Sequence, residues 1–213
     1  MSTHITGWGH TPFRHWKEKD VESLLAEVID EALNDAGVDA RDIDEIYLGH
    51  FNGGFVAQDF TSSLMLQSQP GLRFKPATRL ENACATGSAA VHAGVRAIAS
   101  GQARRVLVAG VEKMTDHPNV GEILARACYL KEESRFESFA AVFAHIAQCY
   151  FDRYGDQSDA LARIAAKNHR NGLNNPYAQL RKAFDFELCR AESEKNPRVS
   201  GPLQRTDCSP ITD

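Results

Sequence analysis

No apolar run in this chain approaches the ~18 residues that a membrane-spanning helix requires, so a membrane role is not expected. There is also no long basic run, and 24 Lys and Arg against 28 Asp and Glu leave a net charge of −4. Phosphate backbones are held by clustered cations, so the balance argues against a nucleic-acid partner. The five cysteines, Cys84, Cys128, Cys149, Cys189 and Cys208, show no pairwise metal-ligand spacing and follow no signal peptide. Their odd count and wide scatter predict reduced thiols in a cytoplasmic protein, with no metal site. Internal repeats and low-complexity tracts are missing as well. What is present is enough apolar material, 43% over 213 residues, for one large domain or two small ones with a real core.

The most informative stretch runs from Leu80 to Ala99. A short run, Pro76-Ala-Thr-Arg-Leu-Glu81, reads as a buried strand, and it turns at Cys84 into a helix rich in Ala, Gly, Ser and Val. A residue at such a turn lies beside backbone N–H groups that have no partner within the helix. A free thiol titrates near 8.5, whereas a helix N-terminus can bring it to roughly 3.5–7.5. The same N–H groups can hold a developing oxyanion. Against this stands the plainer reading of a cysteine among small residues as a buried hydrophobe. The residues of this stretch alone leave both open.

Elsewhere the periodicities are legible. His4 to His10 reads as a first strand broken by glycines. Asp20 to Ala36 carries Val21, Leu24, Leu25, Val28, Ile29, Ala32, Leu33 and Ala36 on one helical face, and Gly37 closes that helix. Asp44 to His50 is the next strand, parallel to the first because a helix separates them. Phe51 to Phe55 is a connection in which Asn52 and Gly53 serve loop geometry, followed by a helix around Gln58 to Gln67. Arg104 to Val111 is a further strand. Beyond Asp116 no strand is predicted: one short helix among loops reaches Glu133, then helices span Glu137 to Tyr154 and Ser158 to Asn171. The first of these has a small-residue stripe at Ala140, Ala141, Ala144 and Ala147, and His169 near the end of the second reads as a carbonyl cap, not a catalytic group.

The order Asn82-Ala-Cys84-Ala-Thr-Gly-Ser-Ala-Ala, Ala97-Ile-Ala-Ser-Gly101 and Arg105-Val-Leu-Val-Ala-Gly-Val-Glu-Lys-Met-Thr115 closely resembles the thiolase family. Lys167-Asn-His169 and Asn174-Asn-Pro-Tyr-Ala178 resemble marks of its sterol-carrier-type members, and Asp207-Cys-Ser-Pro-Ile-Thr-Asp213 resembles the end of the family's first half. The resemblance implies an α/β fold, a thiolase-like N-terminal half with a mixed sheet flanked by helices. Residues 1–115 would form the core, and 116–213 a mostly helical cap that stops before a fifth strand, with the C-terminal half absent. It implies an acyltransferase, acetyl-CoA C-acetyltransferase-like, that forms or cleaves 3-oxoacyl-CoA.

In that reading Cys84 is the nucleophile that carries the acyl thioester, its backbone N–H is an oxyanion donor, and Ser209 touches the acyl-CoA. Glu112 to Thr115 shapes the pocket floor and takes no part in chemistry. No metal or redox cofactor is implied; coenzyme A thioesters are substrates. A homo-oligomer is expected, and a second chain could supply the missing half. Without that half, the helix after Cys84 would expose apolar surface. Where the family carries His-Met-Gly this chain has Phe139-Ala140-Ala141, which puts the usual acyl preference aside. The other readings are an inactive fragment, a non-catalytic subunit completed by a partner, or a ketoacyl-synthase-type condensing enzyme.

Overall fold

The computed structural model describes residues 2–51, 66, 69–125 and 127–213. They form two compact units, one running to Pro118 and including Thr212 and Asp213, the other spanning Asn119–Ile211. No described helix is long and apolar enough to cross a membrane.

In the first unit, α1 (Val21–Ala36) starts where Asp20 accepts a hydrogen bond from Ser23 N at 2.8 Å. That carboxylate satisfies one of the helix's unpaired N–H groups, and its pKa is lowered by the Ser23 hydroxyl and N–H together. Gly37 ends the helix in the left-handed conformation, φ 62°, the position where only glycine carries no Cβ penalty. We expect Asp20→Ala to lower the unfolding free energy by about 1 kcal/mol, measured by urea denaturation.

The strands β1 (Glu45–Gly49), β2 (Ala77–Leu80) and β3 (Val106–Gly110) form a three-stranded sheet in the order β2-β1-β3. Both pairings are parallel, Ile46 standing opposite Ala77 on one side and Leu107 on the other. Successive side chains of β1 point to opposite faces. Ile46 and Leu48 enter a core with Val21, Leu25 and Ile29 of α1, while Tyr47 enters a second core with Ala90 and Ala97 of α2 (Thr86–Ala99). The sheet is thus sandwiched between two helices. Small residues let α2 approach: a Cβ on Gly94 would lie 3.0 Å from Val108 Cγ2. Its outer face leaves Val91 and Val95 exposed, the apolar surface the sequence led us to expect.

Two expectations are corrected here, and a third lies outside the described residues. The sheet is parallel, not mixed, because a crossover helix between β2 and β3 returns the chain in the same direction. His4 to His10 is not a strand. This segment runs along α1, with Trp8 N donating to Asp35 Oδ2 at 3.1 Å and His10 N to Glu31 Oε2 at 2.9 Å, so carboxylates of the helix take backbone N–H groups that a strand would have offered to a neighbour. Gly7 permits that approach, since a Cβ there would lie 2.5 Å from Ala32 O. The helix expected around Gln58 to Gln67, with Asn52 and Gly53 before it, falls outside the described residues apart from Leu66, which is buried in the α1 core.

The second unit contains α3 (Val120–Ala125), α4 (Leu130–Glu133), α5 (Phe139–Tyr154), α6 (Ser158–Gly172) and α7 (Phe186–Arg190). Two short helices therefore replace the single one expected before Glu133. Ser138 caps α5 by accepting from Ala141 N, and Ala144 of its small-residue stripe is buried. A hairpin, β4 (Arg198–Ser200) with β5 (Leu203–Gln204), lies where no strand is predicted. Three- and two-residue strands are too short to show alternation. Their position is set by Asn196, wholly buried, whose Nδ2 donates to Leu188 O and Cys189 O while its Oδ1 accepts from Thr206 N.

Candidate active site

Cys84 lies at the carboxyl end of the parallel strands, where ligands gather in open α/β sheets. β2 ends at Leu80, a 3₁₀ turn spans Ala83–Ala85, and α2 begins at Thr86. The thiol is exposed, which sets aside the buried-hydrophobe reading. The turn is sharp: Ala83 adopts φ 46°, a left-handed conformation uncommon for a residue with a Cβ.

The hydrogen bonds of the turn can be followed one by one. Asn82 N donates to Thr86 Oγ1 at 2.8 Å, and Ala83 N donates to the Glu81 carboxylate. Ala85 N donates to Asn82 O at 2.9 Å. Thr86 donates twice to Ala83 O, through its backbone N–H and through its hydroxyl at 2.6 Å. Among the described residues the Cys84 N–H meets no acceptor. One donor of the turn is therefore left for an incoming oxygen beside the one thiol. Gly49, at the end of β1, leaves room behind: a Cβ there would lie 3.2 Å from both Cγ2 and O of Thr86.

The strand-end residues after β3 serve a different purpose. Lys113 is 1% exposed, and its Nζ donates to Asp213 Oδ2 at 2.7 Å and to Asp116 Oδ2 at 2.9 Å. Asp213 also accepts from Met114 N, Thr115 N and Trp16 N, each at 2.9 Å, and from Thr115 Oγ1 at 2.7 Å. Burial alone would raise the Asp213 carboxyl, but Lys113, Thr115 and Trp16 outweigh it and hold it below the usual range. Burial alone would lower Lys113, and its two carboxylates outweigh that and raise it. His15 joins the cluster by bonding Asp116 at 2.8 Å. These contacts make the 112–115 segment a structural support.

Ser209 is exposed and belongs to the second unit, whereas Cys84 belongs to the first. Burial, with the Asp207 charge, pushes the neighbouring Cys208 thiol up, which favours the inert protonated form. His169 makes no carbonyl cap among the described residues. Its ring packs on Phe184 at 4.5 Å, and burial lowers its pKa. What sequence reasoning missed is the support of the turn: Thr86, Glu81 and Gly49. A Thr two residues after the cysteine and a Glu three before it were the available signals, and neither carries a bonding geometry by itself.

The description "Thiolase, N-terminal domain" fits residues 3–191 of this chain. An acetyl-CoA acetyltransferase of Methanocaldococcus jannaschii is 36% identical over 98% of this chain and 53% of its own length. Sterol carrier protein 2 of Bos taurus is 26% identical over 98% of this chain and 39% of its own. Among solved structures, the Ltp2-ChsH2(DUF35) aldolase superposes with a TM-score of 0.76 at 20% identity, over 98% of this chain and 52% of the other. The chain spans about half the length of the acetyl-CoA acetyltransferases it matches.

Proposed function

This chain belongs to the thiolase family, and on that premise we propose that it carries the nucleophilic half of an acyl-CoA acyltransferase, with Cys84 as the acyl acceptor. The observation that carries the reading is the exposed Cys84 thiol at the carboxyl end of the sheet, beside its own backbone N–H, which meets no acceptor among the described residues.

The Cys84 sulfur attacks the thioester carbonyl of an acyl-CoA, forming a C–S bond. The carbonyl oxygen becomes an oxyanion, and the Cys84 N–H donates to it. Collapse of that intermediate breaks the bond to coenzyme A, which leaves as its thiolate, and the acyl group rests on Cys84. The carbanion of a second acyl-CoA then attacks this thioester, releasing Cys84 and a 3-oxoacyl-CoA. The reverse sequence is thiolytic cleavage. The general base and a second oxyanion donor belong, in this proposal, to the half of the relatives' length that this chain does not span. That half could be continuous with it or supplied by a partner chain. Such an arrangement also favours a homo-oligomer working in the cytoplasm, where the five thiols stay reduced.

The test is intact mass after incubation with acetyl-CoA, with Cys84→Ser alongside. A gain of one acetyl group, absent in the variant, is expected. No gain, in protein whose circular dichroism shows it folded, would take the first chemical step away from this chain alone. Ser209 is assigned to hold the acyl-CoA, so Ser209→Ala should weaken coenzyme A binding in a titration followed by calorimetry and leave the melting temperature unchanged.

A further inference from the structure

We infer that Thr86 is a positioning residue for Cys84: its hydroxyl locks the turn so that the Cys84 N–H faces the incoming carbonyl oxygen. The inference rests on Cys84 being the nucleophile and adds a residue that does not touch the substrate.

Thr86 is 7% exposed, so its hydroxyl has little access to water and must find partners in the protein. It finds two, accepting from Asn82 N at 2.8 Å and donating to Ala83 O at 2.6 Å. These atoms belong to the two residues immediately before Cys84. The bond to Ala83 O holds the Ala83–Cys84 peptide, the one that carries the Cys84 N–H, and the bond from Asn82 N anchors the Glu81–Asn82 peptide that leads into the turn. The peptide they hold is not a relaxed one, since Ala83 sits at φ 46°. Such a conformation costs of order 1–3 kcal/mol and persists only where its surroundings over-determine it. Without the hydroxyl, Asn82 N–H loses its acceptor and Ala83 can return to the negative-φ region, which rotates the Cys84 N–H away. Gly49 is the other half of the device. Its missing Cβ is what lets Thr86 seat, since a methyl there would lie 3.2 Å from Thr86 Cγ2 and from Thr86 O.

Thr86→Val removes the hydroxyl and keeps the β-branched shape, while Thr86→Ser keeps the hydroxyl. Two rates are compared at Cys84 in each protein: acetylation by acetyl-CoA, which uses the oxyanion donor, and alkylation by iodoacetamide, which does not. In Thr86→Val acetylation should fall roughly 10- to 100-fold, the cost of a small misplacement, with alkylation nearly unchanged. Thr86→Ser should restore acetylation. A fall in both rates would mark Thr86 as merely structural, and no fall in either would overturn its positioning role.

Amide hydrogen exchange separates this inference from the one beneath it. The Asn82 N–H should be protected in the parent and in Thr86→Ser and exposed in Thr86→Val. If the parent shows that pattern yet never acetylates, the first chemical step does not belong to this chain alone and the locking geometry stands. If Asn82 exchange is indifferent to the Val substitution, the inference itself is wrong. Should Thr86→Val fail to fold, Gly49→Ala displaces Thr86 with its hydroxyl intact, and unchanged acetylation in that variant would also overturn it.

Discussion

Asp213→Asn is expected to lower the unfolding free energy by about 3–5 kcal/mol, read from urea denaturation at pH 7, because it leaves the buried Lys113 ammonium without its shortest charged partner. The carboxylate is fully buried and accepts five hydrogen bonds, two of them from side chains. An amide can replace some of these acceptors, but it cannot carry the negative charge, and its NH₂ group would face donors. Domains of this size are stable by only about 5–15 kcal/mol, so the loss is a large fraction of the whole. The exposed pair Arg14 with Glu18, by contrast, contributes little, since both groups remain solvated.

The same cluster makes stability depend on pH, with a determined sign. Asp213 has its pKa lowered in the folded state, so its contribution is present above the unfolded value of about 3.9 and is lost as pH falls through the lower folded value. Lys113 has its pKa raised, so its contribution is present below about 10.4 and is lost as pH rises through the higher folded value. Between those limits this pair leaves stability flat. Melting temperatures measured from pH 2 to 7 should drop steeply toward the acid end in the parent protein and less steeply in Asp213→Asn. Equal acid slopes in the two proteins would exclude Asp213 as a source of the dependence.

Leu48→Ala is expected to cost about 2–5 kcal/mol by the same measurement. Leu48 is 0% exposed on the central strand and packs in the core shared by α1 and β3. Truncation there removes the side chain's burial and leaves a cavity that neighbours on three elements cannot close. Val91→Ala, on the outer face of α2 where Val91 is 44% exposed, should stay within about 0.5 kcal/mol. The contrast separates packing from hydrophobicity as such, since both residues are apolar and both lie in regular elements.

The elements that were legible share one property: their sequence pattern reports a local or one-sided environment. α1 has an unbroken 3.6-residue apolar period, an Asp cap and a closing Gly, and it lies where those signals place it. α5 and α6 lie where their periodicity places them, and β1 and β3 read as short apolar runs between breakers; β2, with Thr78 and Arg79, is a strand where expected but has no fully buried residue. The errors fell where the outcome depended on a competitor elsewhere in the chain. His4 to His10 has a strand's composition, but Asp35 and Glu31 of α1, distant in sequence, accept from its Trp8 and His10 N–H groups. The β4–β5 hairpin depends on a buried Asn196 that nothing in its neighbourhood distinguishes from a surface asparagine.

The candidate site divides along the same line. The sequence by itself determined that Cys84 stands at a strand-to-helix turn, because a strand-like run, small residues and a helix follow one another in close order. It also determined the family, because motif spacing survives where geometry is not yet known. Only the tertiary structure decided which N–H of the turn is left without an acceptor among the described residues, that the thiol is exposed, and that Thr86, seated against Gly49, bonds across the turn. It alone joined Asp213 to Lys113 and Trp16 across the length of the chain. Hydrogen bonds act over about 3 Å between atoms that folding brings together. No pattern along the chain records such a distance until packing has set it.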